Sequence, residues 1–195
     1  MSAFVASVTF LALISATFLG AVLVWSIFFP SRRLWPTGRV TPFTQIKIWS
    51  PTVAIFAAAS LVGIIEWNAL DWPGWLRFGV GLPLILAGNL IVWRAVFGID
   101  MDATSGARSH LKTDGLYRYS RNPQYLADMG ILIGWAVLSA SPSAWIIAAG
   151  GFAALALAPF AEEPWLEDVY GEAYRCYRNR VPRFLGWPGW GVPSR

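Results

Sequence analysis

No residue between Phe4 and Phe29 carries a charge, and apart from glycine and small hydroxyl-bearing residues every position is apolar. At about 1.5 Å per residue, a helix of this length exceeds the ~30 Å hydrocarbon core of a bilayer. The segment is therefore expected to cross a membrane with some tilt. It has no basic flank ahead of it and is too long for a signal-peptide core, so it reads as a retained span that Pro30 ends. Four more apolar runs follow: roughly Ile48 to Ile65, stopped by Glu66; Leu76 to Ile99; Gln124 to Ser139; and Ser143 to Ala161. Ala140-Ser141-Pro142 joins the last two, which predicts a tight antiparallel helix pair. The fourth run is short for a span and holds Asp128 near its start. Charged residues make up 13% of the chain, against about 25% in a typical soluble domain. The fold expected is all-α, a polytopic membrane bundle of about five transmembrane helices. It forms one integral membrane domain over 1–195, with N-terminal spans in 1–99 and a catalytic half in 100–195.

Positive charge fixes the expected orientation. Arg32, Arg33, Arg39 and Lys47 lie between the first and second spans. Arg108, Lys112, Arg118 and Arg121 lie between the third and fourth. Arg175, Arg178, Arg180, Arg183 and Arg195 lie in the tail. Around the connection between the second and third spans the only basic residue is Arg77, and between the fourth and fifth there is none. Basic loops are retained in the cytoplasm, which puts the N-terminus outside and the C-terminus inside; the compact five-span form and the lack of disulfide-forming cysteines are compatible with a bacterial inner membrane. Most of the 12 tryptophans, Trp35, Trp49, Trp67, Trp72, Trp75, Trp145 and Trp165 among them, fall near span ends and read as an interfacial belt. In the tail, Leu166, Val169, Tyr170, Ala173, Tyr174 and Tyr177 recur at three- and four-residue steps. They predict an amphipathic surface helix from Pro164 to Asn179, ended by Val181-Pro182.

Two polar clusters are placed at the expected cytoplasmic boundary. Pro123 suits the first turn of the fourth span, whose N-terminus then favours an anionic group, with Arg121 adding a planar cationic fork. Arg118 and Arg121 serve equally well as anchors to lipid phosphate. Glu162-Glu163 ends the fifth span; the pair reads either as a hydrated helix end or as an acceptor for a cationic or hydroxyl-bearing ligand. Within the spans, Asp128 lies three residues beyond Tyr125 on nearly the same helix face. Arg94 lies near the cytoplasmic end of the third span, where it either partners Asp128 or snorkels to the interface. His110 reads as an incidental loop residue, and Glu66 as a solvated one at the outer boundary. One cysteine and one histidine leave no disulfide and no metal-ligand spacing, so no metal is expected. There is no phosphate loop or dinucleotide fingerprint.

The run Leu-x-Thr-x-Gly-x-Tyr-x-x-x-Arg-x-Pro-x-Tyr from Leu111 to Tyr125 resembles the signature of the isoprenylcysteine carboxyl methyltransferase and phospholipid N-methyltransferase superfamily. So do Glu162-Glu163-x-x-Leu166, Tyr170-Gly171-x-x-Tyr174-x-x-Tyr177 and Val181-Pro182-Arg183. The resemblance covers about Leu111 to Leu185 and implies an integral membrane enzyme using S-adenosylmethionine, with S-adenosylhomocysteine as product. Carried over by position, it implies a cofactor pocket of Leu116, Tyr117, Arg121, Asn122, Pro123 and Tyr125 on one side. Glu162 and Glu163 line the other, with Tyr174 and Arg183 in support. Asp128, Arg94 and Glu162 are the candidate catalytic groups. Two departures stand out: Asn122 where the family often has histidine, and Ala127 where it usually has glycine. Asparagine hydrogen-bonds but does not shuttle protons near neutral pH. The expected partners are membrane lipids and a lipophilic or amphiphilic methyl acceptor, with no nucleic acid. Two rivals are an NADPH-dependent sterol or steroid reductase, which shares an Arg-x-Pro-x-Tyr turn, and a non-catalytic membrane bundle.

Overall fold

A computed structural model describes residues 2–38, 41–98 and 110–186. Arg39, Ile99, Arg108 and Arg195, used above for the basic loops and a span end, lie outside the described residues. Among the described residues every regular element is a helix. α1 (Ala3–Phe28) is capped by Ser2, whose hydroxyl accepts the Val5 N–H. α2 (Pro42–Ile65) opens well ahead of its apolar run, because Thr41 and Thr44 form a capping box with Pro42 in the first turn. A turn at Gly74–Leu76 and a π-helical turn at Arg77–Gly81 lead directly into α3 (Leu82–Gly98). After a 3₁₀ turn at Gly115–Arg118 come α4 (Pro123–Ser139), α5 (Pro142–Tyr170) and α6 (Glu172–Arg180).

Among the described residues four helical segments are long and apolar enough to cross a membrane: Ala3–Phe28, Pro42–Ile65, Gly74–Arg94 and Pro142–Tyr170. The count of five expected from sequence is not reached, because α4 has 17 residues, about 25 Å of helix. α4 is instead shielded by its neighbours, packing against α2, α3 and α5 with Met129, Leu132 and Ala136 buried. The outer surface is apolar. Phe10, Leu11 and Phe18 on α1, Val53 and Ile64 on α2, and Leu86 and Leu90 on α3 are all exposed, as lipid-facing side chains must be. Together these features mark an integral membrane protein.

The tail departs from expectation. α5 does not stop at Ala161 for a new helix to begin at Pro164; it runs unbroken through Pro159 and Pro164 to Tyr170. Each proline removes one N–H, but Ala158, Ala161 and Glu163 remain buried against the bundle and hold the helix. The break falls at Gly171, where φ is +54°, a backbone conformation that a residue without Cβ adopts readily. α6 then ends at Val181, as expected.

Small residues let the helices approach closely. A Cβ on Gly134 of α4 would lie 2.8 Å from the Gly81 carbonyl and 2.9 Å from Leu84 Cβ. A Cβ on Gly81 would lie 2.6 Å from the Leu138 nitrogen. Backbone cannot step aside here, so Gly134→Val is expected to destabilise the bundle by about 1–3 kcal/mol through overpacking. A lowered melting temperature in detergent checks this.

The two ends of the bundle differ. At one end Asn68 and Leu70 N–H groups bond the Ser139 and Ala140 carbonyls at 2.7 and 3.0 Å. Glu66 is no solvated bystander there: it accepts from Ser141 Oγ at 2.8 Å and the Ser143 N–H at 3.1 Å. Burial pushes its carboxyl up, but the serine hydrogen bonds outweigh this and hold it below the usual carboxylate range. At the opposite end, the α1–α2 connection meets the C-terminal half of α5 through Arg33 and Asp168, 2.8 Å apart.

Candidate active site

The segment leading into α4 is held by the chain that follows α6. The Arg121 N–H bonds the Pro182 carbonyl at 3.0 Å, and the Gly186 N–H bonds the Tyr119 carbonyl at 3.1 Å. Asn122 ends this segment at the N-cap of α4 without capping it through its side chain. Its Nδ2 donates instead to the Arg183 carbonyl at 3.0 Å, and its N–H bonds Ser120 Oγ at 3.0 Å.

The two adjacent glutamates have opposite surroundings. Glu163 turns inward, its side chain 5% exposed, and meets two guanidinium groups. Arg121 donates Nε and Nη2 to Glu163 Oε1 at 3.2 and 2.8 Å, and Nη1 to the Arg178 and Val181 carbonyls at 2.9 and 2.8 Å. Arg183 donates Nε to Oε1 at 2.9 Å and Nη2 to Oε2 at 2.8 Å, and lies over the Phe160 ring. Nearly all of the donor capacity of Arg121 is therefore spent inside the protein, joining α4, α5 and the segment after α6.

Glu162 faces a cavity of about 200 Å³. Its Oε1 accepts from the Trp35 indole N–H at 2.8 Å and from the Tyr125 hydroxyl. The polar part of the wall also holds Tyr117, Arg121, Asn122, Gln124, Asp128 and Tyr174. The apolar part is built by Leu19 and Leu23 of α1, Ile48 and Trp49 of α2, and Ala154, Leu155 and Ala158 of α5. Tyr177 donates its hydroxyl to the Tyr117 carbonyl at 2.7 Å. The Tyr174 hydroxyl is buried with no hydrogen-bond partner among the described residues. Burial, reinforced by the charges of Glu162 and Glu163 respectively, raises the Tyr117 and Tyr174 phenols above their ordinary range, so both are O–H donors at neutral pH.

A buried carboxylate, a second carboxylate one helical turn along α4 and protonated phenols thus share one cavity with an apolar flank. The sequence profile of the phospholipid methyltransferase family matches residues 76–173. The chain belongs to that family. Steroid 5-alpha-reductase DET2 of Solanum lycopersicum is 28% identical over 116 residues, 59% of this chain. The chain covers 44% of that relative's length. No solved structure matches.

In this phospholipid methyltransferase family member, Tyr117, Arg121, Asn122, Tyr125, Asp128, Glu162 and Tyr174 of the expected site share the cavity wall. Leu116, Pro123, Glu163 and Arg183 are not part of that wall, though Glu163 holds the lining Arg121. Arg94 is on an exposed part of α3 and is not brought to the wall, which gives it no shared site with Asp128. His110, read as incidental, lines the cavity with Lys112. The contribution of the N-terminal half is the main surprise. Trp35, assigned above to the interfacial belt, is only 5% exposed and bonds Glu162. Trp49 and Thr52 also face the cavity. No periodicity marks Trp35; the one local signal is its place in a Trp-Pro-x-Gly turn beside a span end.

Proposed function

We propose that this protein transfers a methyl group from S-adenosylmethionine to an acceptor that partitions into the membrane. The observation that carries the reading is the two-sided cavity, polar around Glu162 and apolar between α1, α2 and α5, in a chain of the phospholipid methyltransferase family. S-adenosylmethionine supplies a methyl group on an electrophilic sulfonium and presents a carboxylate, an ammonium, ribose hydroxyls and adenine. The residues present fit those groups. Glu162 accepts hydrogen bonds from the ammonium or the ribose. The first turn of α4 offers backbone N–H groups to the carboxylate. The orphaned Tyr174 hydroxyl offers a donor to the ribose or the base. Arg121, occupied by Glu163, braces the site in this reading and does not grip the ligand.

Asp128 is our candidate for receiving the proton that the acceptor loses, directly or through a water molecule. Methyl transfer is an in-line displacement, so fixing two reactants in one wall contributes most of the rate. The apolar flank fits the lipophilic part of the acceptor, and a lipid amine, an isoprenylcysteine-like carboxylate or a thiol supplies the reacting atom. Arg32, Arg33, Lys47, Arg118, Arg175, Arg178 and Arg180 all belong to the site end of the bundle. By the retention of positive charge this end faces the cytoplasm and the N-terminus lies outside.

The reductase relative supports a second reading, reduction by NADPH of a membrane-dissolved substrate. Titrating purified protein with S-adenosylhomocysteine and, separately, with NADPH distinguishes the two. Saturable binding of S-adenosylhomocysteine alone is expected. Binding of NADPH alone would replace this reading with the reductase, and binding of neither would favour a non-catalytic bundle.

A further inference from the structure

Glu162 is held by a residue that the family profile does not reach. Ser26, buried in the last turn of α1, donates its hydroxyl to the Val22 carbonyl at 2.7 Å. The same oxygen accepts the N–H groups of Leu34 and Trp35, each at 3.0 Å. This folds the α1–α2 connection back over the end of α1. Lys47 Nζ ties it to α2 through the Leu34 carbonyl at 3.1 Å, and Arg33 ties it to α5 through Asp168 at 2.8 Å. The connection is thereby fixed on three sides, with the Trp35 ring buried and its N–H donated to Glu162 Oε1 at 2.8 Å. Tyr125 donates to that same oxygen from α4.

We propose that Trp35 is a positioning residue for Glu162, a role that rests on the methyltransferase reading. A glutamate side chain has three rotatable bonds, and the carboxylate of a free one samples many orientations. With two donors from two different elements converging on Oε1, the carboxylate is locked, and Oε2 is the oxygen presented to the ligand. Preorganisation of this kind strengthens binding by removing the ordering that a ligand otherwise imposes. The N-terminal half thus completes the site instead of merely anchoring it, and Ser26 acts one step further back by fixing the loop that carries Trp35.

The test uses Trp35→Phe, which keeps an aromatic ring on the wall but a smaller one without the N–H, with Ser26→Ala as a second variant. Each full-length protein, purified in detergent, is titrated calorimetrically with S-adenosylhomocysteine. Losing the preordering of the Glu162 carboxylate is expected to weaken binding about tenfold in Trp35→Phe. A smaller change in the same direction is expected for Ser26→Ala. Binding stoichiometry stays at the wild-type value, while the melting temperature falls modestly in both, because Trp35→Phe leaves a void and Ser26→Ala leaves the Leu34 and Trp35 N–H groups without their acceptor. A merely structural role gives the reverse pattern, in which the number of binding-competent molecules falls and Kd does not move. An unchanged Kd in Trp35→Phe, with the wild type binding normally, overturns the positioning role and leaves the proposed function standing. A wild type that fails to bind S-adenosylhomocysteine overturns the function itself, and this role with it.

Discussion

Glu162→Gln is expected to lose S-adenosylhomocysteine binding by about 10- to 100-fold or more, and methyl transfer with it, while the protein folds normally. Glutamine has the same shape, and its amide oxygen still accepts from Trp35 and Tyr125. What disappears is the negative charge on the cavity wall, and charge-assisted hydrogen bonds contribute about 1.5–3 kcal/mol each. Calorimetry on the purified variant, with its melting curve alongside, checks the claim. Wild-type affinity in the variant would remove Glu162 from the ligand contact.

Glu163→Ala acts through stability. Glu163 and Arg121 have side chains 5% and 8% exposed, and Arg183 closes the cluster. Removing the carboxylate leaves the buried Arg121 uncompensated beside a second cation, Arg183, which is partly exposed. Breaking one member out of a buried ion pair typically costs about 3–5 kcal/mol. The effect is expected as a large drop in melting temperature in detergent. Glu172→Ala, at the exposed pair with Arg175 on α6, serves as the control and is expected to leave the melting temperature unchanged. Equal shifts for the two variants would mean that the clamp does not hold the C-terminal segment in place. Neighbouring glutamates therefore separate by function: loss of Glu162 is expected to empty the cavity of ligand, and loss of Glu163 to loosen its wall.

The convergence of Arg121 with the glutamate doublet was legible in the chain because both lie where apolar runs meet basic, proline-marked boundaries on one side of the membrane. The pairing itself was not legible. Nothing local distinguishes Glu162 from Glu163. Which of the two turns to Arg121 follows from the roughly 100° step between successive helix residues and from the packing of α5. Pro164 misled for a related reason: the local preference of proline for a first turn gave way to burial along α5, and the break passed to Gly171. Trp35 was hidden because its partner is 127 positions away and is reached only through the loop fold that Ser26 sets. The short fourth run was correctly placed, but its role as a shielded core helix depends on α2, α3 and α5 surrounding it.

The most direct measurement is the transfer of labelled methyl groups from S-adenosylmethionine into a total membrane extract, by membranes carrying wild-type protein or Glu162→Gln. The account predicts label in a lipid-soluble or membrane-bound product with the wild type and near-background label with the variant. Equal labelling by both, or none in any lipid, peptide or volatile fraction with the wild type, would contradict it.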